Sequence, residues 1–83
     1  MKLTTSWRKL PAEVRRHLDG RLSDRGITEG DLYKMAFWLE GQPDVPEEEW
    51  FRDFGTFKLA GRGPLVLTFL TADQTGYGIK IED

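Results

Sequence analysis

At 83 residues the chain is long enough for one domain and too short for two, and the absence of cysteine excludes disulfide staples, thiolate metal sites and cysteine nucleophiles. A net charge of −2 argues against a general nucleic-acid coat protein, whose phosphate contacts demand a cationic excess. No stretch approaches the ~18 apolar residues of a membrane span, and MKLTTSWRKLPAE has no apolar run of signal-peptide length, so the expectation is a cytoplasmic protein.

The charge is unevenly spread. Residues 1 to 26 carry seven Lys/Arg against three Asp/Glu, residues 27 to 53 two against eight, and residues 54 to 83 three against three. A basic first element beside an acidic middle leaves two readings open, internal complementarity or an external partner.

In chain order, Met1 to Lys9 has no period and is expected to fray, with the Trp7 ring docking somewhere. Pro11 favours a helix start, and Leu10, Val14, Leu18 and Leu22 recur every four residues as one apolar stripe. Arg15, Arg16, Asp19 and Arg25 fall off that stripe, and Gly26 is a natural stop. Thr28 then reads as an N-cap, with Glu29 and Asp31 in the first turn of a second helix running from about Glu29 to Glu40 and ending at Gly41. Leu32, Met35, Ala36 and Leu39 cluster within about 100° of its circumference and form the core face. Tyr33 and Phe37 point to nearly the opposite side and Trp38 to a flank, so the helix is either sandwiched or presents its rings to a partner.

The prolines of GQPDVP forbid continuation of that helix. Pro46-Glu47-Glu48-Glu49 favours the acidic first turn of a short third helix, with Asp44 as cap and Trp50-Phe51 as its buried end, over the alternative of a strand. From Phe54 the period changes to two. Phe57 and Leu59 alternate with Thr56 and Lys58, Gly61-Arg62-Gly63-Pro64 supplies a turn, Leu65 to Thr71 is a β-rich run, and Tyr77, Ile79 and Ile81 alternate after a second break. The expected fold is therefore a single α+β domain over residues 1–83, two N-terminal helices packed on a three-stranded antiparallel meander. Its expected core is Leu18, Leu22, Leu32, Met35, Ala36, Leu39, Trp50, Phe54, Phe57, Leu59, Leu67, Phe69 and Ile79.

Motifs of chemistry are sparse. His17, the single histidine, lies beside Arg16 and one turn from Arg21, with no nucleophile or carboxylate at a fixed spacing, and reads as a solvated imidazole. Asp44, Glu47, Glu48, Glu49 and Asp53 have the oxygens of a hard-cation site but not its alternating spacing. Neither Gly61-Arg62-Gly63-Pro64 nor Gly76-Tyr77-Gly78 extends to a phosphate-binding loop. Neither a catalytic constellation nor a cofactor or metal site is therefore expected. Two binding readings remain. The first is a non-enzymatic interaction module, a small adaptor or regulator that binds a protein partner or itself, with Tyr33, Phe37, Trp38 and Arg62 as contact residues, since aromatic and arginine side chains are what binding hot spots favour. The second is a nucleic-acid-binding protein using Arg15, Arg16, Arg21 and Arg25 of the first helix to grip phosphates.

Overall fold

The computed structural model describes residues 1–24 and 26–82. The chain is an α+β domain: two helices, α1 (Ala12–Ser23) and α2 (Glu29–Glu40), lie on one face of a four-stranded sheet of β1 (Glu49–Asp53), β2 (Phe57–Arg62), β3 (Leu65–Thr71) and β4 (Ile79–Lys80). The strand order is β3-β2-β1-β4.

Both helices begin where the residues dictate. Pro11 stands immediately before α1, whose Val14 and Leu18 are buried. The Oγ1 of Thr28 accepts the Asp31 N–H at 3.2 Å, capping α2, which buries Asp31, Met35 and Leu39. α1 packs against β3, where the His17 ring meets the edge of Phe69. α2 covers β1, with Trp38 packed edge-to-face on Trp50 and on Phe54.

Trp50 sits at the centre of this packing. It opposes Gly61 across β1 and β2, and a Cβ at Gly61 would overlap the indole and the Leu65 carbonyl. A glycine is thus what makes room for the ring, and the indole N–H is satisfied by the Gly63 carbonyl at 2.9 Å. Burial of a side chain this large contributes roughly 2–3 kcal/mol.

Four sequence expectations need correction. The residues after Pro46 form no third helix: Glu49 to Asp53 is the strand β1, because Trp50 and Arg52 alternate with Phe51 and Asp53 and the tertiary fit of Trp50 over Gly61 overrides the acidic, helix-like run before it. The meander is accordingly β1-β2-β3, and the last strand is not its continuation. β4 pairs parallel with β1 (Trp50 opposite Ile79) at the far edge of the sheet. Parallel pairing needs a crossing connection, and residues 72 to 78 provide it by passing over the face of the sheet that the helices leave open. The buried Lys58 ammonium donates to the carbonyls of Ala72 (2.7 Å) and Gln74 (2.9 Å), and Gly76 lies against the Phe51 ring.

Leu67 and Ile79, expected in the core, are exposed. Strict alternation would place Leu67 with Phe69, but the register of β3 shifts opposite Ala60/Gly61, the extra residue is accommodated there, and Val66 is buried instead. Ile79 stands on a two-residue edge strand. Finally, the N-terminal segment does not fray. Leu3 is fully buried, its N–H donates to the Pro43 carbonyl at 2.9 Å, the Lys2 backbone pairs antiparallel with that of Asp44, and Trp7 in the 3₁₀ turn Trp7–Lys9 packs against the core. The core further includes Leu10, Val14, Ile27 and Val45.

Candidate functional site

The solvent side of α2 carries the candidate site. Tyr33 and Phe37 lie one helical turn apart, and their side of α2 faces solvent: Tyr33 is 68% and Phe37 80% exposed. Phe37 forms the wall shared by two depressions. One, of about 480 Å³, lies along the helix between Gly30 and Glu40. The other is a groove of about 890 Å³ bounded by the C-terminal half of α2, the end of β1 with its turn, and the residues from Lys80 to Glu82.

That groove is aromatic and cationic. Phe37, Trp38 and Phe54 line it, as do Lys34, Arg52 and Lys80. The Arg52 guanidinium carbon stands 5.2 Å from the Trp38 ring centroid and 5.4 Å from that of Phe54. A flat cation held over two rings is positioned by the fold itself. Lys34 lies 3.3 Å from Asp31 and Lys80 3.7 Å from Glu82, both at the surface.

A polar knot joins α2 to the β1–β2 turn, whose Asp53 and Gly55 line the groove. The backbone N–H (2.9 Å) and the hydroxyl (2.8 Å) of Thr56 both donate to Asp31 Oδ2, and the Thr28 N–H donates to Thr56 Oγ1 at 3.2 Å. Burial pushes the Asp31 carboxyl up, but the hydrogen bonds from Thr56, helped by Lys34 and Thr28, outweigh it and hold the group below its ordinary value. Gly55 turns the chain above this carboxylate at φ 112°, where a side chain would strain the backbone and press on Asp31, and the Gly55 N–H is held by Asp53 Oδ1 at 2.8 Å. The knot's groups are matched to one another, so it is a structural joint between α2 and the β1–β2 turn.

The residues singled out from the sequence are placed as follows. Tyr33 and Phe37 share the exposed side of α2, and Trp38 is half-buried at the groove, its indole packed inward. Arg62 is not with them. It is exposed at the opposite end of the β1–β2 pair from Asp53 and stands 3.9 Å from Glu49. On α1, Arg16 is exposed, Arg15 is half-buried with its guanidinium donating to the Arg8 carbonyl at 3.0 Å, and Arg21 folds over Gly26. With a step of about 100° per residue these three leave the helix on different bearings, and Arg25 lies outside the described residues. His17 is exposed and its ring contact is with Phe69. Among the described residues no three His, Asp or Glu side chains converge as metal ligands would, and no helix is long and apolar enough to cross a membrane.

Arg52, Lys34 and Lys80 were not singled out from the sequence. The signal for Arg52 was present: in Trp50-Phe51-Arg52-Asp53-Phe54 a strand period puts the arginine on the same side as Trp50 and Phe54. Lys80 is brought to the groove only by the parallel placement of β4.

Compared with protein-family models, with curated proteins and with solved structures, the chain matches none of them.

Proposed function

We propose that the protein is a non-enzymatic protein-interaction module that docks a partner through the solvent side of α2. The observation that carries this reading is Phe37, a ring 80% exposed on a helix whose other side is anchored in the core, at the edge of a groove shared with β1 and the residues from Lys80 to Glu82. An unpaired large ring in water is unfavourable by its apolar area, and a rigid aromatic beside concave surface is the form that binding hot spots take. Tyr33 extends the same ridge, Trp38 closes its base, and Arg62, at the other end of the sheet pair, falls outside it. The cysteine-free composition favours a reducing compartment, in line with a cytoplasmic placement. Nucleic-acid binding through Arg15, Arg16, Arg21 and Arg25 draws less support, since the described arginines do not line one face and two of them are folded back onto the chain.

The test is site-specific photocross-linking in extract of the source cells, with a benzophenone side chain at position 37 and, as control, at Arg16. A discrete adduct from position 37 and none from the control is the expected result; a band at twice the chain mass identifies self-association. Adducts that form equally from both positions, or from neither, overturn the reading.

A further inference from the structure

The groove beside Phe37 has a chemistry that narrows what can fill it. Its cations reach it from three separate elements, Lys34 from α2, Arg52 from β1 and Lys80 from β4. The Arg52 guanidinium is held in the groove over two rings, 5.2 Å and 5.4 Å from the Trp38 and Phe54 ring centroids. Lys34 and Lys80 stand at the walls with side chains 70% and 51% exposed. Neither is committed to the fold. The Asp31 carboxylate has two donors from Thr56 without Lys34, the Lys80–Glu82 pair is exposed on both sides, and surface pairs of this kind contribute only about 0–1 kcal/mol. Two carboxylates also line the groove, Asp53, which accepts the Gly55 N–H, and Glu82, which pairs with Lys80, so the cations exceed the anions by one.

We propose that this groove binds an acidic segment of a partner protein that also carries a large apolar side chain. The segment's carboxylates meet Lys34 and Lys80 beside the Arg52 guanidinium, and its apolar side chain packs on Phe37. The inference rests on the reading of α2 as a docking face and adds the partner's chemistry to it. A polyanion of nucleic-acid type fits less well, because base stacking needs open ring faces, whereas Trp38 and Phe54 are packed on each other and under Arg52, leaving Phe37 as the exposed ring.

The experiment is fluorescence anisotropy with the whole chain and three labelled probes: a twelve-residue peptide alternating Asp/Glu with Leu and Phe, the same peptide with Asn/Gln for Asp/Glu, and dodecathymidylate. The acidic peptide is expected to bind, to bind at least about tenfold more tightly than its amide counterpart, and to weaken as salt is raised. A Lys34→Gln, Lys80→Gln double variant, chosen because Lys34→Glu would set a second carboxylate beside Asp31, should lose about tenfold in affinity with an unchanged melting temperature. Lys80→Glu alone is the second variant and should weaken binding in the same direction. Equal binding of the amide peptide, unchanged affinity in both variants, or tighter binding of dodecathymidylate would overturn the proposal. A cross-link captured at position 37 without any binding of the acidic peptide removes the groove chemistry and leaves the docking face standing. Peptide binding that is insensitive to Phe37→Ala removes Phe37 from the site.

Discussion

The two sides of α2 follow opposite rules within one turn of helix. At positions 31, 35 and 39 every group is matched: Met35 and Leu39 are fully enclosed by apolar neighbours, and the buried Asp31 has its donors from Thr56. At positions 33 and 37 large rings face water with depressions beside them, and at 34 a lysine leans toward a carboxylate that is already satisfied. The contrast teaches where to look for function in a domain with so thin a core. Apolar area is scarce, yet Tyr33 and Phe37 stand side by side in water on one helix while Trp50 is threaded over a glycine; the enclosed side anchors the helix, and the open side holds its two rings on that anchored frame.

The sharpest way to break the comparison is on the enclosed side. Trp50→Ala removes the ring that fills the space above Gly61 and should cost about 3–5 kcal/mol, enough to unfold much of a domain this small, measurable by urea denaturation. Asp31→Ala comes next. It leaves the Thr56 N–H without its acceptor and should cost about 1–3 kcal/mol. Its pH signature follows from the sign of the shift. The folded carboxyl titrates below its ordinary value of 3.8, so its contribution to stability is present above 3.8 and is lost as pH falls through the interval beneath it. Wild-type stability should therefore drop across that acid interval more steeply than that of Asp31→Asn, followed by thermal melts at stepped pH; parallel curves would remove Asp31 as a contributor.

How much of this was legible beforehand divides along the same line. The bounds of α2, its cap and the buried Met35 and Leu39 were legible, because Thr28 and a 3.6-residue period act locally, whereas the burial of Asp31 and the exposure of Tyr33 and Phe37 depend on what the rest of the chain packs against the helix. The sheet was legible as strands but not as an arrangement. The alternation of Trp50 and Arg52 with Phe51 and Asp53 is too short to outweigh the acidic run before it until Trp50 meets Gly61, and nothing local says that the chain after Thr71 will cross the sheet rather than fold back beside β3. Lys58 in the sequence reads as the polar partner in an alternating strand, and in the fold it holds two carbonyls of the connection. The groove inherited that uncertainty, since one of its cations, Lys80, arrives with β4. Lys58→Met tests the point. It should cost about 1 kcal/mol and speed hydrogen exchange in residues 72 to 78 more than elsewhere, and uniform exchange across the chain would show that the connection is held by something else.

The smallest expected change in stability is the one on which the comparison turns. Phe37→Ala and Tyr33→Ala remove rings that contact mostly solvent, so each should alter the unfolding free energy by no more than about 0.5 kcal/mol, against several for Trp50. Each deletion also lowers the apolar area shown to water, which should make the variants more soluble than the parent. The same substitutions should abolish capture of a partner, giving a loss of binding with no loss of fold. If Phe37→Ala instead lowered the melting temperature by the 4–8 °C that about 1 kcal/mol produces in a domain of this length, the ring would be contributing to the fold, the open side of α2 would obey the same rule as the enclosed one, and the docking face would lose its physical basis.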